Sequence, residues 1–511
     1  MNSHKADYKL PNESLWKPVY RGIVVGLVAG IVVGFFRLSI EKLFEQVQGV
    51  YIQAHDKPIL LVPIAVVSLL VAIIIGFMIR SDSDIKGSGI PHVEGELKGL
   101  MHPNWWSVLW KKWISGVLAI SSGLMLGREG PSIQLGAMTG KGLAKAFGAG
   151  RTEKRVLIAS GAAAGLSAAF NAPIAGLLFV VEEVYHHFSR MVWVTALVAS
   201  LVANFVSLNI FGRTPVLAMP KDLPFLNLSQ YWILVLMGIF LGLLGFFYEK
   251  IILNIGRLYH FLGRLTHLSA PLYVILAMIF ILPIGYFYPQ LLGGGNGMIV
   301  SLPTSNLTFW TALSYLVIRF IWSMLSYGSG VPGGIFLPIL ALGSLAGMVF
   351  GLGMVNLQLV SHAALPLFVV LGMAGYFGAV SKAPLTAMIL VTEMVGNLKQ
   401  LMAIGVVTLV AYIVMDILKG QPVYEAMLAN MEPTVEHTVV EPTLIELTVS
   451  DKIAGKRVRD LVLPKNVLIT TQIHQGQAEV VSGSTLLHSG DTIYLVVNEP
   501  EISKIRELLM T

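Results

Sequence analysis

Long apolar runs separated by short polar or glycine-rich breaks set the pattern of the first 430 residues, with apolar segments near 22–36, 59–79, 104–126, 155–183, 191–212, 232–248, 271–288, 308–326, 335–354, 366–395 and 401–418. Pro58 to Ile79 and Met191 to Gly212 each run 22 residues without a charge, enough for a helix to cross a hydrocarbon core of about 30 Å. Three stretches break the pattern most sharply: SDSDIKGSGIPHVEGELKG, GREGPSIQLG and YGSGVPGGIFLPILALG. Interrupted helices at membrane depth are tolerated only where the freed backbone groups are buried in protein or line a cavity, so these breaks mark a candidate path.

The breaks recur. At an offset of 207, Gly127, Pro131, Leu135, Gly136 and Gly140 fall on Gly334, Pro338, Leu342, Gly343 and Gly347. At 211, Ala168, Ala172, Pro173 and Glu182 fall on Ala379, Ala383, Pro384 and Glu393. Matching order over two blocks makes the halves structural repeats, and paired interrupted segments in such repeats point to a binding site between them. The pattern leaves open whether the repeats are parallel or inverted.

After residue 430 the period changes. Proline and charge mark a linker (431–439), then TLIELTVS, NVLITTQI, AEVVSG and DTIYLVVN read as short strands and ISKIRELLM as a closing helix, a small α+β domain over 440–511.

Composition agrees with a polytopic membrane protein: 511 residues, 55% hydrophobic, 13% charged and a mean hydropathy of +0.73. Residues 1–18 are polar, and no cleavable leader is apparent. Lys5, Lys9, Lys17 and Arg21 ahead of the first span favour a cytosolic N-terminus. From His437 onward seven Lys or Arg meet nine Asp or Glu, so this tail is near −2 and residues 1–436, with the membrane part, near +8. No basic run is interleaved with aromatics, which argues against a nucleic-acid surface. The absence of cysteine excludes disulfides, thiolate catalysis and Cys-ligated metal, and no fixed metal cluster stands out.

Candidate chemistry concentrates in GLMLGREGPSIQLGAMTGKG (Gly123 to Gly142). A charge within an apolar run is expensive and marks an ion or proton path, so Glu129 is a functional candidate; a surface ion pair with Arg128 is the plain alternative. Pro131 suits a first helical turn, so Glu129 stands where a helix begins. The free amides there attract either its carboxylate or a free anion, and that competition is a gate.

GSGIP at Gly87 to Pro91, GREGP at Gly127 to Pro131, GIFLP at Gly334 to Pro338 and Tyr424 within QPVYEAML occur in the order of the CLC chloride channels and transporters, which residues 19–430 resemble. The resemblance implies an all-α membrane domain of two inverted repeats, assembled as a homodimer in the cell membrane with a separate path in each subunit. It assigns anion binding to Ser88 and Tyr424 through their hydroxyls and to Ile335 and Phe336 through their amides. Glu129 becomes the gating glutamate. In proton-coupled members the second acid of the pair in FNAPIAGLLFVVEEVYHHF takes up protons from the cytosol, which assigns proton transfer to Glu183. Glu182 and its repeat mate Glu393 read as structural, and His186 and His187 as polar caps at a helix end.

The last domain, with GKRVRDLVLPKNVLI and LLHSGDTIYLVV, resembles the C-terminal (TrkA-C) subdomain of the RCK regulators of potassium transport. That resemblance implies a regulatory module, in some relatives one that binds cyclic di-AMP, with Lys456, Arg457, Arg459 and His488 as candidate ligand contacts. A ligand-free dimerisation module is the alternative, and such a tail suggests a bacterial protein with both termini cytosolic. The expected function is proton-coupled chloride antiport without a cofactor. Alternatives are a chloride channel gated by Glu129 or an exchanger of fluoride or nitrate; intact GSGIP and GREGP disfavour fluoride. No GxSxG nucleophile motif supports an enzyme, and no TVGYG-like filter supports a potassium path.

Overall fold

The computed structural model describes residues 16–185, 190–220, 222–431, 442–450, 452–461, 463–464, 467–474 and 477–498, with 505 and 509. The polar segment ahead of Trp16, His186 and His187, most of the linker and most of the expected closing helix lie outside the described residues. The chain divides into two compact units, Met1–Met431 and Glu432–Thr511.

The first unit is helical. Its first half contains α1 (Trp16–Asp56), α2 (Leu61–Ser81), α3 (Ile90–Lys98), α4 (Trp105–Ser121), α5 (Glu129–Ala146), α6 (Arg151–Phe170), α7 (Pro173–Phe179) and α8 (Arg190–Phe211). The second contains α9 (Tyr231–Ile252), α10 (Ile255–Thr266), α11 (Tyr273–Phe287), α12 (Asn296–Ser301), α13 (Phe309–Gly328), α14 (Phe336–Asn356), α15 (Leu365–Ser381), α16 (Pro384–Val395), α17 (Leu401–Ile417) and α18 (Val423–Met431). Among the described residues, eight helical stretches are long and apolar enough to span a bilayer. Of these, α2 keeps most of its surface exposed, as lipid contact requires, whereas α14 and α15 are buried almost throughout.

Two apolar runs that read as continuous are each broken once. The run over 155–183 divides between α6 and α7 at Asn171 (φ 55°), and that over 366–395 divides between α15 and α16 at Lys382 (φ 56°). In each case a left-handed residue stops one helix and a proline two residues later opens the next, where its missing N–H is no loss. Apolarity records burial, so it carried no mark of these turns.

Contacts between the halves are reciprocal. Gly127 and Gly334 form an isolated antiparallel bridge, each amide donating to the other's carbonyl at 2.7 Å. Glu182 accepts from the Leu385 and Thr386 amides at the start of α16, and Glu393 accepts from the Ile174 and Ala175 amides at the start of α7. Residues at one offset contacting each other in exchange are what a two-fold relation produces. The antiparallel bridge carries the two segments past each other in opposite senses, as the expected inverted repeats require.

Each repeat is held by the same close helix crossing. Gly136 packs on the Gly161 carbonyl and Gly140 on that of Leu157; Gly343 packs on the Gly372 carbonyl and Gly347 on that of Phe368. A methyl group at any of these four positions would collide with the backbone opposite, so only glycine admits α5 onto α6 and α14 onto α15.

The second unit is a four-stranded antiparallel sheet of β1 (Pro442–Thr448), β2 (Leu468–His474), β3 (Gln477–Val480) and β4 (Thr492–Asn498) in the order β1-β4-β2-β3. Alternate residues Ile493, Leu495 and Val497 of central β4 are fully buried, with Ile445, Leu447, Ile469, Ile505 and Leu509 in the same core.

Candidate functional site

The broken segments converge at the inter-repeat bridge. Ser88 precedes α3, Glu129 opens α5, and Ile335 and Phe336 lie at the start of α14. A Cβ on Gly130 would strike Ser88, and one on Gly334 would sit 3.0 Å from the Gly130 amide, so all three segments meet through bare backbone. Gly127 likewise leaves room for the Glu129 carboxylate, with the Leu337 amide beside it. The site residues cannot approach this closely with side chains at those glycines.

Burial removes water from every candidate side chain here. Ser88, Glu129, Phe336 and Tyr424 are 0% exposed and Ile335 2%. Neither the Ser88 Oγ nor the Tyr424 Oη has a hydrogen-bond partner in the protein, and the Glu129 carboxylate has only backbone amides at the helix starts beside it. Buried polar groups are normally satisfied, so this clustering has the chemistry of a ligand site. Two hydroxyl donors and helix-start amides suit a halide without a full cation that would trap it. The burial also excludes the plain alternative of a surface ion pair: Arg128 is 6% exposed, and its Nε stands 3.9 Å from Glu129 Oε1.

Aromatic rings wall the site. Phe336 lies 5.2 Å from Phe170, 5.8 Å from Phe179 and 4.5 Å from Phe377 between ring centres, and Phe179 meets Tyr424 edge-on at 6.3 Å. The Tyr424 hydroxyl lies within electrostatic range of both Glu129 and Glu183.

Glu182 and Glu183 part company by local geometry. Val180–Val184 is a π-helical turn, with the Tyr185 amide bonded to the Val180 carbonyl at 2.7 Å, rather than the regular α-helix on which a 100° separation of the two acids rests. Glu182 turns to α16, where Thr386 adds a hydroxyl to the two amides at its carboxylate. Glu183 stays 5% exposed, with the charges of Glu94, Glu182 and Glu425 in range.

Several residues at the site escaped the sequence reading. GGGNG at Gly293 to Gly297 is the repeat mate of GSGIP at an offset of 206: Gly87 and Gly293 have φ of 56° and 67°, Gly89 and Gly295 of 86° and 102°. Behind them stand fully buried Lys112 and Arg319, an offset of 207 apart. Lys112 Nζ donates to the carbonyls of Ile85 (2.8 Å) and Gly87 (2.7 Å), and Arg319 donates to that of Leu291. Extending the offset search to these loops would have found them. Tyr327, whose hydroxyl lies against Gly87 and 3.2 Å from Met427 Sδ of α18, opens the YGSGVPGGIFLPILALG break without having been assigned a role there.

In the second unit Lys456, Arg457, Arg459 and His488 are all exposed. Backbone bonds lay 455–459 beside 483–487, the segment that leads into His488. The His488 ring stacks on His474 at 4.3 Å, and His474 Nδ1 is 2.8 Å from Asp491 Oδ2.

Comparison with known proteins agrees with this geometry. The family described as "Voltage gated chloride channel" matches residues 70–416, and the TrkA-C domain matches 443–510. An H(+)/Cl(-) exchange transporter ClcA of Salmonella paratyphi B is 33% identical over 421 residues, covering 80% of this chain and 88% of the relative. The crystal structure of a slow cyanobacterial Cl-/H+ antiporter superposes with a TM-score of 0.75 at 28% identity, covering 81% of this chain and 97% of that one. A CLC-type fluoride/proton antiporter shares the fold, with a TM-score of 0.65 at 21% identity, covering 78% of this chain and 95% of its own. With the matched region, the inverted repeats and the converging helix starts in agreement, the chain belongs to the voltage-gated chloride channel (CLC) family.

Proposed function

We propose that the protein exchanges chloride for protons across the cell membrane of a bacterium, as a homodimer with one path per subunit. The observation that supports this reading is the set of buried, unpartnered Ser88 and Tyr424 hydroxyls beside the broken helix starts, with two buried acids, Glu129 and Glu183, in electrostatic range of Tyr424. Ser88 and Tyr424 hold the anion by their hydroxyls, with the amides of Ile335 and Phe336 beside them. The Glu129 carboxylate competes for the same amides: ionised it closes the path, and protonated it loses that attraction and withdraws. Glu183 passes protons toward it from the cytosolic side, on which both termini lie. Chloride and proton movement are then exclusive uses of one gate. The activities named for the Salmonella and cyanobacterial relatives support the choice of ions.

Residues 440–511 act as a regulatory domain. A two-fold cyclic dinucleotide such as cyclic di-AMP suits a pair of such tails in a dimer, with Lys456, Arg457, Arg459 and His488 as contacts. The match to the TrkA-C domain supports the module, and the exposed cations beside the 483–487 segment support an anionic ligand.

The test is reconstitution in liposomes with an imposed chloride gradient. Chloride should drive protons uphill, and Glu129→Gln and Glu183→Gln should each keep anion flux while abolishing that pumping. Chloride flux with no uphill proton movement in the unaltered protein would instead identify a channel. Persistent pumping in both variants would reject the two assignments.

A further inference from the structure

Beyond the two acids of the exchange path, a third carboxylate is tied to the gate. Arg128 Nη1 lies 2.5 Å from Glu41 Oε1, whereas its Nε reaches Glu129 only at 3.9 Å. The same Glu41 oxygen accepts from Arg37 Nε at 3.1 Å. Arg37 is anchored in turn: 6% exposed, it donates to Asn171 Oδ1 (3.3 Å) and the Ala169 carbonyl (3.4 Å) at the end of α6, with its guanidinium 3.8 Å from the centre of the Phe211 ring. Four charges of alternating sign therefore run from the anchored Arg37 through Glu41 and Arg128 to Glu129.

The chain of charges opens to solvent at one member. The Glu41 side chain is 37% exposed, against 8% for Arg37, 7% for Arg128 and none for Glu129. Glu41 and Arg128 are the only charged residues lining a cavity of about 390 Å³, among the described residues. Gln48, Gln290, Asn296 and Tyr315 supply polar groups around it. The groups facing Glu41 and Arg128 are thus Arg37 on α1, Glu129 on α5, Asn171 after α6 and these neutral side chains. One guanidinium is shared between two carboxylates, and the outer one has the hydrogen bond.

We propose that Glu41 is a positioning residue for the gate: by holding Arg128 it keeps the guanidinium from closing onto Glu129, and so leaves that carboxylate free to take a proton and withdraw. This rests on Glu129 being the gate. With Glu41 neutral, Arg128 has one carboxylate left and pairs with it. An ionised Glu129 is then favoured, a lower pH is needed to protonate it, and turnover slows.

The experiment measures chloride-driven proton transport in liposomes while the pH on the Glu129 side is titrated. Glu41→Gln should move the midpoint to lower pH by about half a unit, the scale expected of one half-exposed ion pair. Glu41→Asp, one methylene shorter but still charged, should move it the same way by less, and serves as the main test if the glutamine variant does not fold. In a Glu129→Gln background, where only anion flux remains, Glu41→Gln should shift nothing. A uniform loss of rate with an unmoved midpoint in both Glu41 variants would overturn the proposal and leave Glu41 a stabilising ion pair. Uphill pumping that survives Glu129→Gln would instead bring down the gate assignment itself, so the two failures are distinguishable.

Discussion

Removing the two hydroxyls at the central site tests its chemistry most directly. Ser88→Ala and Tyr424→Phe each delete one oxygen from a side chain that is fully buried and has no partner in the protein. No other protein group is orphaned by the deletion, so the cost appears in anion binding rather than in folding. A hydrogen bond to a charged group is worth about 1.5–3 kcal/mol, and a factor of ten in affinity about 1.4 kcal/mol, so each variant should bind chloride roughly 10- to 100-fold more weakly. The lower end is expected for Tyr424→Phe, because the ring keeps its edge contact with Phe179 and the gap is one oxygen wide. Both donors act on one ion, so the double variant should lose less than the product of the single losses. Chloride titration of the purified protein by calorimetry measures the constants, and a thermal melt checks the fold. A chloride affinity unchanged within about twofold in both variants would place the anion elsewhere and refute the reading.

Selectivity gives a second test: Ser88→Pro removes a donor and should raise nitrate flux relative to chloride in liposomes, whereas Tyr424→Phe should not reverse that ratio. Glu393→Ala should lower the melting temperature, since it strips two amide bonds from the start of α7 at a cost of about 1–2 kcal/mol, while leaving proton coupling intact in folded protein, unlike Glu183→Gln. For the tail, calorimetry on the full chain should detect cyclic di-AMP at about micromolar strength or better, with a change in flux that truncation after Asn430 removes. No heat from the full chain, together with unchanged flux after truncation, would leave the tail an assembly or stability element.

How much of this was legible in the sequence follows from what each residue type records. GREGP and GIFLP were readable because glycine close to proline in an apolar run has few structural uses and the offset of 207 pairs them, whereas GSGIP was read from its family resemblance and its mate GGGNG went unseen. The structural reading of Glu182 and Glu393 fits the same logic, as their reciprocal caps on α16 and α7 are made by residues at matching positions in the two halves. Glu41 was invisible for the opposite reason. It sits late in a 41-residue helix whose turns are regular, in a motif-free stretch, and its importance arises only when folding brings α1 against the start of α5, 87 positions away in sequence. Tyr327 opens a break segment, yet it reads as an ordinary aromatic at the end of α13 until α18 returns 100 positions later to place Met427 against its hydroxyl. Sequence therefore exposes the parts of a transport site that strain the backbone or repeat, and hides the long-range electrostatic partners. A gate that depends on such partners can differ in pH response between two chains with identical motifs.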